Sequence, residues 1–138
     1  MKIENTKPPR HIWEQAHKQF TIDDTCTVYT YGNTLHNPAG VPVDECLEAH
    51  ESLHAVQQVA IGGADKWWAM YFKDPEFRRS QEIDAYHRQY EKLCQINHDR
   101  NRRAKYLWEI ASHLASPMYG AGISHVEAMK AIRTGIHE

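Results

Sequence analysis

The spacing of hydrophobic and polar positions along the chain predicts six helices and one short β-element. Apolar residues recur at helical spacing between His11 and Phe20, whereas β-branched and aromatic residues fill the segment from Cys26 to Leu35. Gly32 and Asn33 interrupt that segment and can turn it into a hairpin. Five further helices are predicted from residue 44 to a stop at 62–63, and over about 64–73, 75–98, 101–115 and 124–136.

Residues with strong positional preferences mark several of the predicted helix ends. Three helices begin at residue types that commonly cap helix N-termini: Asp44, Asp74 and Ser124. Gly62 and Gly63 can end the helix that begins at Asp44. The sequence therefore predicts one α+β domain over residues 1–138, mostly helical, with residues 1–10 as a flexible extension.

Composition narrows the possible functions. The chain is 41% hydrophobic and 25% charged, as in ordinary soluble globular proteins. Its net charge of -2 argues against binding that neutralises many phosphates, so a nucleic-acid partner is not expected. The basic run at residues 100–105 lacks interleaved aromatic residues and is interpreted as the solvated start of a helix.

The cysteines and the N-terminus indicate the compartment. Cys26, Cys46 and Cys94 are odd in number and form no Cys-x-x-Cys pair, which predicts buried free thiols in a reducing compartment. Residues 1–10 lack the apolar region of a secretory signal, and no apolar run approaches the roughly 18 residues that cross a bilayer. We therefore expect a cytoplasmic protein without a membrane partner.

The segment His50-Glu51-Ser52-Leu53-His54 carries the clearest chemical signal. On a helix, His50 and His54 project from one face and can reach one metal ion. Glu51 is rotated by about 100 degrees from His50, beside the metal, where a general base can take a proton from water. Leu47, Leu53, Val56 and Ala60 predict an apolar stripe through which this helix packs, with the histidines at its flanks.

A catalytic zinc ion usually has three protein ligands, so a third is expected on a later helix. Two carboxylates compete for this position. Asp84 shares a helical face with polar residues, whereas Glu82 lies above Tyr86 and Gln89 on a less polar side. Because a buried carboxylate needs a partner, Glu82 is favoured over Asp84, which stays the alternative.

A His-Glu-x-x-His helix followed by Glu82 on a later helix resembles the gluzincin metallopeptidases. The resemblance is closest to small, uncharacterised peptidase-like proteins of phage and prophage genomes, and covers about the middle half of the chain. Its matching segments are residues 29–32, 37–38, 49–58, 74–78 and 81–86. It implies a zincin-like fold, a Zn2+ cofactor held by His50, His54 and Glu82, and an edge strand near Val28 to Tyr31 that aligns an extended peptide.

One position departs from the pattern of that family. Many gluzincins carry an aspartate four residues after the glutamate ligand to orient a histidine, and here that position is Tyr86. No second carboxylate partner for His50 or His54 is identified. The departure puts catalytic rate in doubt more than metal binding.

A peptidase also needs a donor for the oxyanion of its tetrahedral intermediate. Tyr119, in a loop between two helices, is the candidate, although packing beneath the turn is the more common role of such a residue. Trp67, Trp68 and Tyr71 are spaced as in a buried helix and are interpreted as core rather than as a substrate pocket.

These patterns lead to a main hypothesis and an alternative. The first is a zinc-dependent peptidase acting on a peptide or protein, with Glu51 and Tyr119 as catalytic residues. The alternative is an interaction protein of zincin-like fold that binds zinc structurally or not at all. The sequence does not define the oligomeric state.

Overall fold

A computed structural model describes residues 1–117 and 123–135. In these two ranges the prediction of a mostly helical chain with a small β-element is confirmed. The strands are β1 (Lys2–Glu4), β2 (Tyr29–Tyr31) and β3 (Thr34–His36). The helices are α1 (Arg10–Gln19), α2 (Glu45–Ile61), α3 (Ala64–Lys73), α4 (Pro75–Ile96), α5 (Arg100–Leu114) and α6 (His125–Thr134).

The strands form one sheet in the order β1-β3-β2, in which β3 is parallel to β1 and antiparallel to β2. Thr30 pairs with Leu35, and Gly32 (φ 62°) lies in the turn, so the predicted hairpin is confirmed. The strand β1 was not predicted. Its Ile3 pairs with Leu35, which places part of the expected flexible extension in the sheet.

The predicted N-termini of α2, α4 and α6 and the predicted end of α2 are confirmed, whereas α4 and α6 each end two residues before the predicted position. Asp44 accepts a hydrogen bond from the Leu47 N–H at 2.8 Å, and Asp74 accepts from the two N–H groups that follow Pro75. Gly62 ends α2 with a left-handed φ of 108°, which a residue with a side chain adopts only with strain. Ser124 and Glu127 form the predicted capping box of α6.

Buried apolar residues form two clusters. One joins α4, α5 and α6 through buried residues such as Leu107, Leu114 and Ile132. The other joins α1, α3 and β2 through Ile12 and a group of aromatic residues. That group contains Trp67, Trp68 and Tyr71, so the prediction that these residues belong to the core is confirmed.

No disulfide links the three cysteines: Cys46 is buried, Cys94 is partly buried and Cys26 is exposed. The prediction of free thiols is confirmed, but their predicted burial is wrong for Cys26. Within the described part of the chain, no helix is both long enough and apolar enough to cross a membrane.

The buried face of α2 is polar, so the predicted apolar stripe is wrong. Val56 is 62% exposed and Ala60 also faces solvent, while Leu47 and Leu53 are only partly buried. The residues of α2 that are buried are Cys46, His50, Glu51, His54 and Gln58. Because buried polar groups need hydrogen-bond partners, α2 packs by specific bonds rather than by apolar contact.

Gln58 illustrates this mode of packing. Its side chain is 1% exposed and lies against the outer edge of β2. The amide Nε2 donates to the Thr30 carbonyl, and the amide Oε1 accepts from the Gly32 N–H, both at 2.8 Å. The Trp68 indole also donates to the Thr30 carbonyl, at 2.9 Å. The Gln58 amide thus binds the strand edge as a neighbouring strand would.

We expect Gln58→Leu to lower the free energy of unfolding by about 1–3 kcal/mol, because it leaves the partly buried Gly32 N–H without its acceptor. Urea denaturation followed by circular dichroism measures this change. Val59→Ala is the control, since Val59 is 80% exposed in the next position of the same helix. Equal stability of the Gln58→Leu variant and the wild type would contradict the proposed bonding role.

Candidate metal centre

His50 and His54 project from α2 toward one carboxylate on α4. The Nε2 atoms of the two histidines lie 3.2 Å and 2.6 Å, respectively, from Oε1 of Glu82. Each of the three residues is only 4–5% exposed. Helical spacing places the histidines one turn apart, and the packing of α4 on α2 supplies the carboxylate.

Side-chain amides bind the opposite side of each imidazole. Nδ1 of His54 lies 2.8 Å from Oε1 of Gln57, whose Nε2 donates to the Gln81 carbonyl at 3.0 Å. This second bond fixes the orientation of the amide, so His54 donates through Nδ1 and presents Nε2 as a ligand atom. Nδ1 of His50 lies 2.8 Å from Oε1 of Gln89 in the same arrangement.

The short contact between His54 and Glu82 defines a position for a cation. With Nδ1 protonated, Nε2 of a neutral imidazole is an acceptor, and two acceptors 2.6 Å apart repel unless a proton or a metal ion lies between them. Burial opposes charge on the His54 ring, but the Glu82 carboxylate outweighs it and raises the pKa of His54. Burial likewise opposes charge on Glu82, yet the two histidines hold its pKa well below the usual value.

The second oxygen of Glu82 is bonded as well. The Tyr71 hydroxyl donates to Oε2 of Glu82 at 2.8 Å, and burial together with this carboxylate raises the pKa of Tyr71 well above its usual value. Asp84, the alternative ligand, lies two residues further along α4 and is partly exposed. The contacts thus bring Glu82 to both histidines, as expected for the favoured ligand.

Glu51 lies beside the two histidines. One ligand atom from each of His50, Glu51 and His54 lies within 4.8 Å of the others, so this group could hold a metal ion. Oε1 of Glu82 also contacts both imidazoles, so the structure brings two carboxylates to the histidines. Oε2 of Glu51 accepts a hydrogen bond from the Thr30 hydroxyl at 3.1 Å.

Aromatic rings enclose the imidazoles. The Tyr86 ring packs edge-on to His50, with ring centroids 4.6 Å apart, and the Trp67 ring lies 5.0 Å from that of His54. Tyr86, which replaces the expected acid, thus contributes a ring contact to His50, while Gln89 binds its Nδ1. The structure therefore uses amides where a carboxylate partner was sought.

The centre opens into a cleft of about 1210 Å³. Its lining includes residues of the segment between α1 and β2 and residues of α5. Tyr119, the candidate oxyanion donor, lies outside the described residues.

Sequence reasoning missed Gln57, Gln89 and Thr30. The spacing of residues along the helices could have identified the first two, since Gln57 is three residues after His54 and Gln89 shares a face of α4 with Glu82.

Comparison with known protein families, with curated proteins and with solved structures found no match. The function is therefore inferred from the residues of the chain itself. Two imidazole nitrogens and one carboxylate oxygen, each residue oriented by a further hydrogen bond, form a donor set that could hold a metal ion.

We expect Glu82→Gln to reduce the metal content to well below one zinc ion per chain, because an amide lacks the charge that binds the cation. Asp84→Asn is the matched control and should retain about one zinc ion per chain. Elemental analysis of protein purified without a histidine tag measures both. Loss of zinc in Asp84→Asn, with zinc retained in Glu82→Gln, would reverse the ligand assignment.

The amide of Gln57 should affect metal affinity without being a ligand. We expect Gln57→Leu to weaken zinc binding about 10- to 100-fold, because Nδ1 of His54 loses the acceptor that orients the ring. Competition with a chromophoric chelator measures the dissociation constant. Gln95→Leu, an exposed site on α4, is the control. Unchanged affinity in Gln57→Leu would show that this hydrogen bond does not orient the ligand.

Proposed function

We propose that the protein is a zinc-dependent hydrolase, most specifically a peptidase with a zincin-like, gluzincin-type centre. The observation that carries this proposal is the convergence of His50 Nε2, His54 Nε2 and Glu82 Oε1, with Glu51 beside them. A centre that only stabilised the fold would need no additional carboxylate at this point. A hydrolase needs one as a general base.

The three ligand residues would hold zinc and leave one position of a tetrahedral set for solvent or substrate. When bound, zinc supplies Lewis acidity, which lowers the pKa of water toward about 7 and polarises a carbonyl. The Oε1 atoms of Gln57 and Gln89 accept hydrogen bonds from Nδ1 of the two imidazoles and hold them in the tautomer that this binding requires.

Glu51 would move the proton. Its carboxylate takes a proton from the attacking water and returns it to the amine that leaves when the peptide bond breaks. The Thr30 hydroxyl holds one carboxylate oxygen, so the orientation of Glu51 depends on the strand β2. Glu51 is only 7% exposed, which limits competition from bulk water.

The strand edge would align an extended peptide. As expected for that role, β2 is an edge strand of the sheet. Its outer groups at Thr30 O and Gly32 N are already bonded by Gln58, and the Thr30 carbonyl also accepts from Trp68. Main-chain pairing with substrate would therefore use Thr27 to Tyr29, which line the cleft.

The compartment proposed for this activity is the cytoplasm, because three cysteines without a disulfide are typical of a reducing environment.

We expect Glu51→Gln to retain zinc but to lower peptide hydrolysis by about 10²- to 10⁴-fold, the usual effect of losing a general base. Zinc-loaded protein is incubated with a mixed peptide library, and cleavage is followed by mass spectrometry. Glu48→Gln makes the same change in the first turn of α2 and should cleave normally.

Three results would each contradict a part of the proposed function. Equal cleavage by Glu51→Gln and wild type would exclude Glu51 as the base. A fully folded wild type that takes up no zinc would remove the metal centre itself. Zinc-loaded wild type that cleaves no peptide in the library would favour an interaction protein that binds zinc structurally.

A further inference from the structure

Arg78 is a buried cation in the wall of the same cleft. It lies on α4, four residues before Glu82, and its residue surface is only 5% exposed. Among the described residues that line the cleft, it is the one arginine or lysine. Because Arg78 lies one helical turn from the proposed metal ligand Glu82, the partners of its side chain bear on what the cleft can bind.

The guanidinium group has few partners. Nη1 donates to the Tyr71 carbonyl at 2.5 Å, and the group lies over the rings of Phe20 and Tyr71 at 5.1 Å and 5.8 Å from their centroids. The buried Nε atom has no hydrogen-bond partner. Over residues 1–117 and 123–135, no carboxylate forms a salt bridge with Arg78.

These contacts offset only part of the cost of a buried charge. The Tyr71 carbonyl belongs to the last turn of α3, where unpaired carbonyls attract a cation, and the two rings add cation–π attraction. The Nε–H donor of this guanidinium group still needs an acceptor. The planar fork of the group matches a carboxylate, which can accept two parallel hydrogen bonds.

We propose that Arg78 binds a carboxylate group of the substrate and thereby determines specificity; the identity of the substrate as a peptide rests on the proposed function. The Tyr71 side chain connects Arg78 with the candidate metal centre, since the Arg78 guanidinium group lies over the Tyr71 ring and the Tyr71 hydroxyl donates a hydrogen bond to Glu82. One turn of α4 rises about 5.4 Å, and an extended peptide about 3.3 Å per residue. The bound carboxylate therefore lies within one or two residues of the bond that is cut.

A peptide offers this chemistry from two sources. One is the free α-carboxylate at its C-terminus, which would make the protein an exopeptidase. The other is the side chain of aspartate or glutamate next to the scissile bond. Both sources present the same pair of acceptor oxygens to the guanidinium group. Peptide pairs that differ in only one of the two carboxylates are therefore needed to distinguish them.

The experiment compares acetylated pentapeptide mixtures with zinc-loaded wild-type protein. One pair differs only in a C-terminal carboxylate or carboxamide, and a second, amidated pair carries glutamate or glutamine at one internal position. Hydrolysis is followed by mass spectrometry. Binding is measured in parallel by ligand-observed NMR on Glu51→Gln protein. We expect one carboxylate mixture to be preferred over its neutral counterpart by about 10- to 100-fold in hydrolysis and in binding.

Substitutions of Arg78 test whether this residue causes the preference for peptides with a carboxylate. Arg78→Gln should bring the ratio between charged and neutral peptides close to one, and Arg78→Lys, which keeps the charge but loses the fork, should reduce it. Arg88→Gln removes the same charge from an exposed site on α4 and should leave the ratio unchanged. If both Arg78 variants unfold, the Nε–H resonance of Arg78 in the intact protein replaces them, since it should shift with the acidic peptides alone.

The outcomes separate this proposal from the proposed function. Cleavage without any preference for a carboxylate overturns the role of Arg78 and keeps the peptidase. Preferential binding without any cleavage keeps the carboxylate site and excludes the peptidase. A preference that survives in folded Arg78→Gln, or an unshifted Nε–H resonance, overturns the proposal, because the carboxylate is then bound elsewhere, as at the metal.

Discussion

The structure depends on one constraint: the face that α2 buries is polar, and every group on it needs a partner. No single neighbour supplies them all. Glu82 and Gln89 on α4 bind His50, Thr30 on β2 binds Glu51, and the edge of β2 binds Gln58. Hydrogen bonds therefore hold the elements around α2 in place, and the two apolar clusters complete the packing.

The charges of this face are compatible with the proposed divalent ion. Glu51 and Glu82 bring two carboxylates next to two imidazoles, in surroundings where all four residues are 4–7% exposed. One shared proton would leave a net charge of -1 on an ionised pair of carboxylates, whereas a dication balances both. Since an uncompensated buried charge is costly, the balanced arrangement is the more stable one. The neutral amides of Gln57 and Gln89 preserve this balance, because further carboxylates would add negative charge.

Local signals were sufficient for the helices and for part of the centre. Asp44, Gly62 and Asp74 fix helix ends by interactions within a few residues, and the spacing of His50 and His54 follows from helix geometry alone. The apolar stripe on α2 was wrong because that pattern assumes that the apolar face is the buried one. Thr30 and β1 were not identified because their partners are distant in sequence: Thr30 binds Glu51, and Ile3 pairs with Leu35.

Thr30 contributes both to the packing of β2 on α2 and to the position of the proposed general base. Its hydroxyl binds the Glu51 carboxylate, while its carbonyl accepts from Gln58 and from Trp68 of the aromatic core. The orientation of the Glu51 carboxylate thus depends on the distance between β2 and α2, and Gln58 holds these two elements together two turns away from Glu51. A change in packing at the far end of this contact therefore alters the geometry of the centre without touching a ligand. In so small a domain, the residues that hold the sheet to α2 and those that would perform hydrolysis form one hydrogen-bonded network.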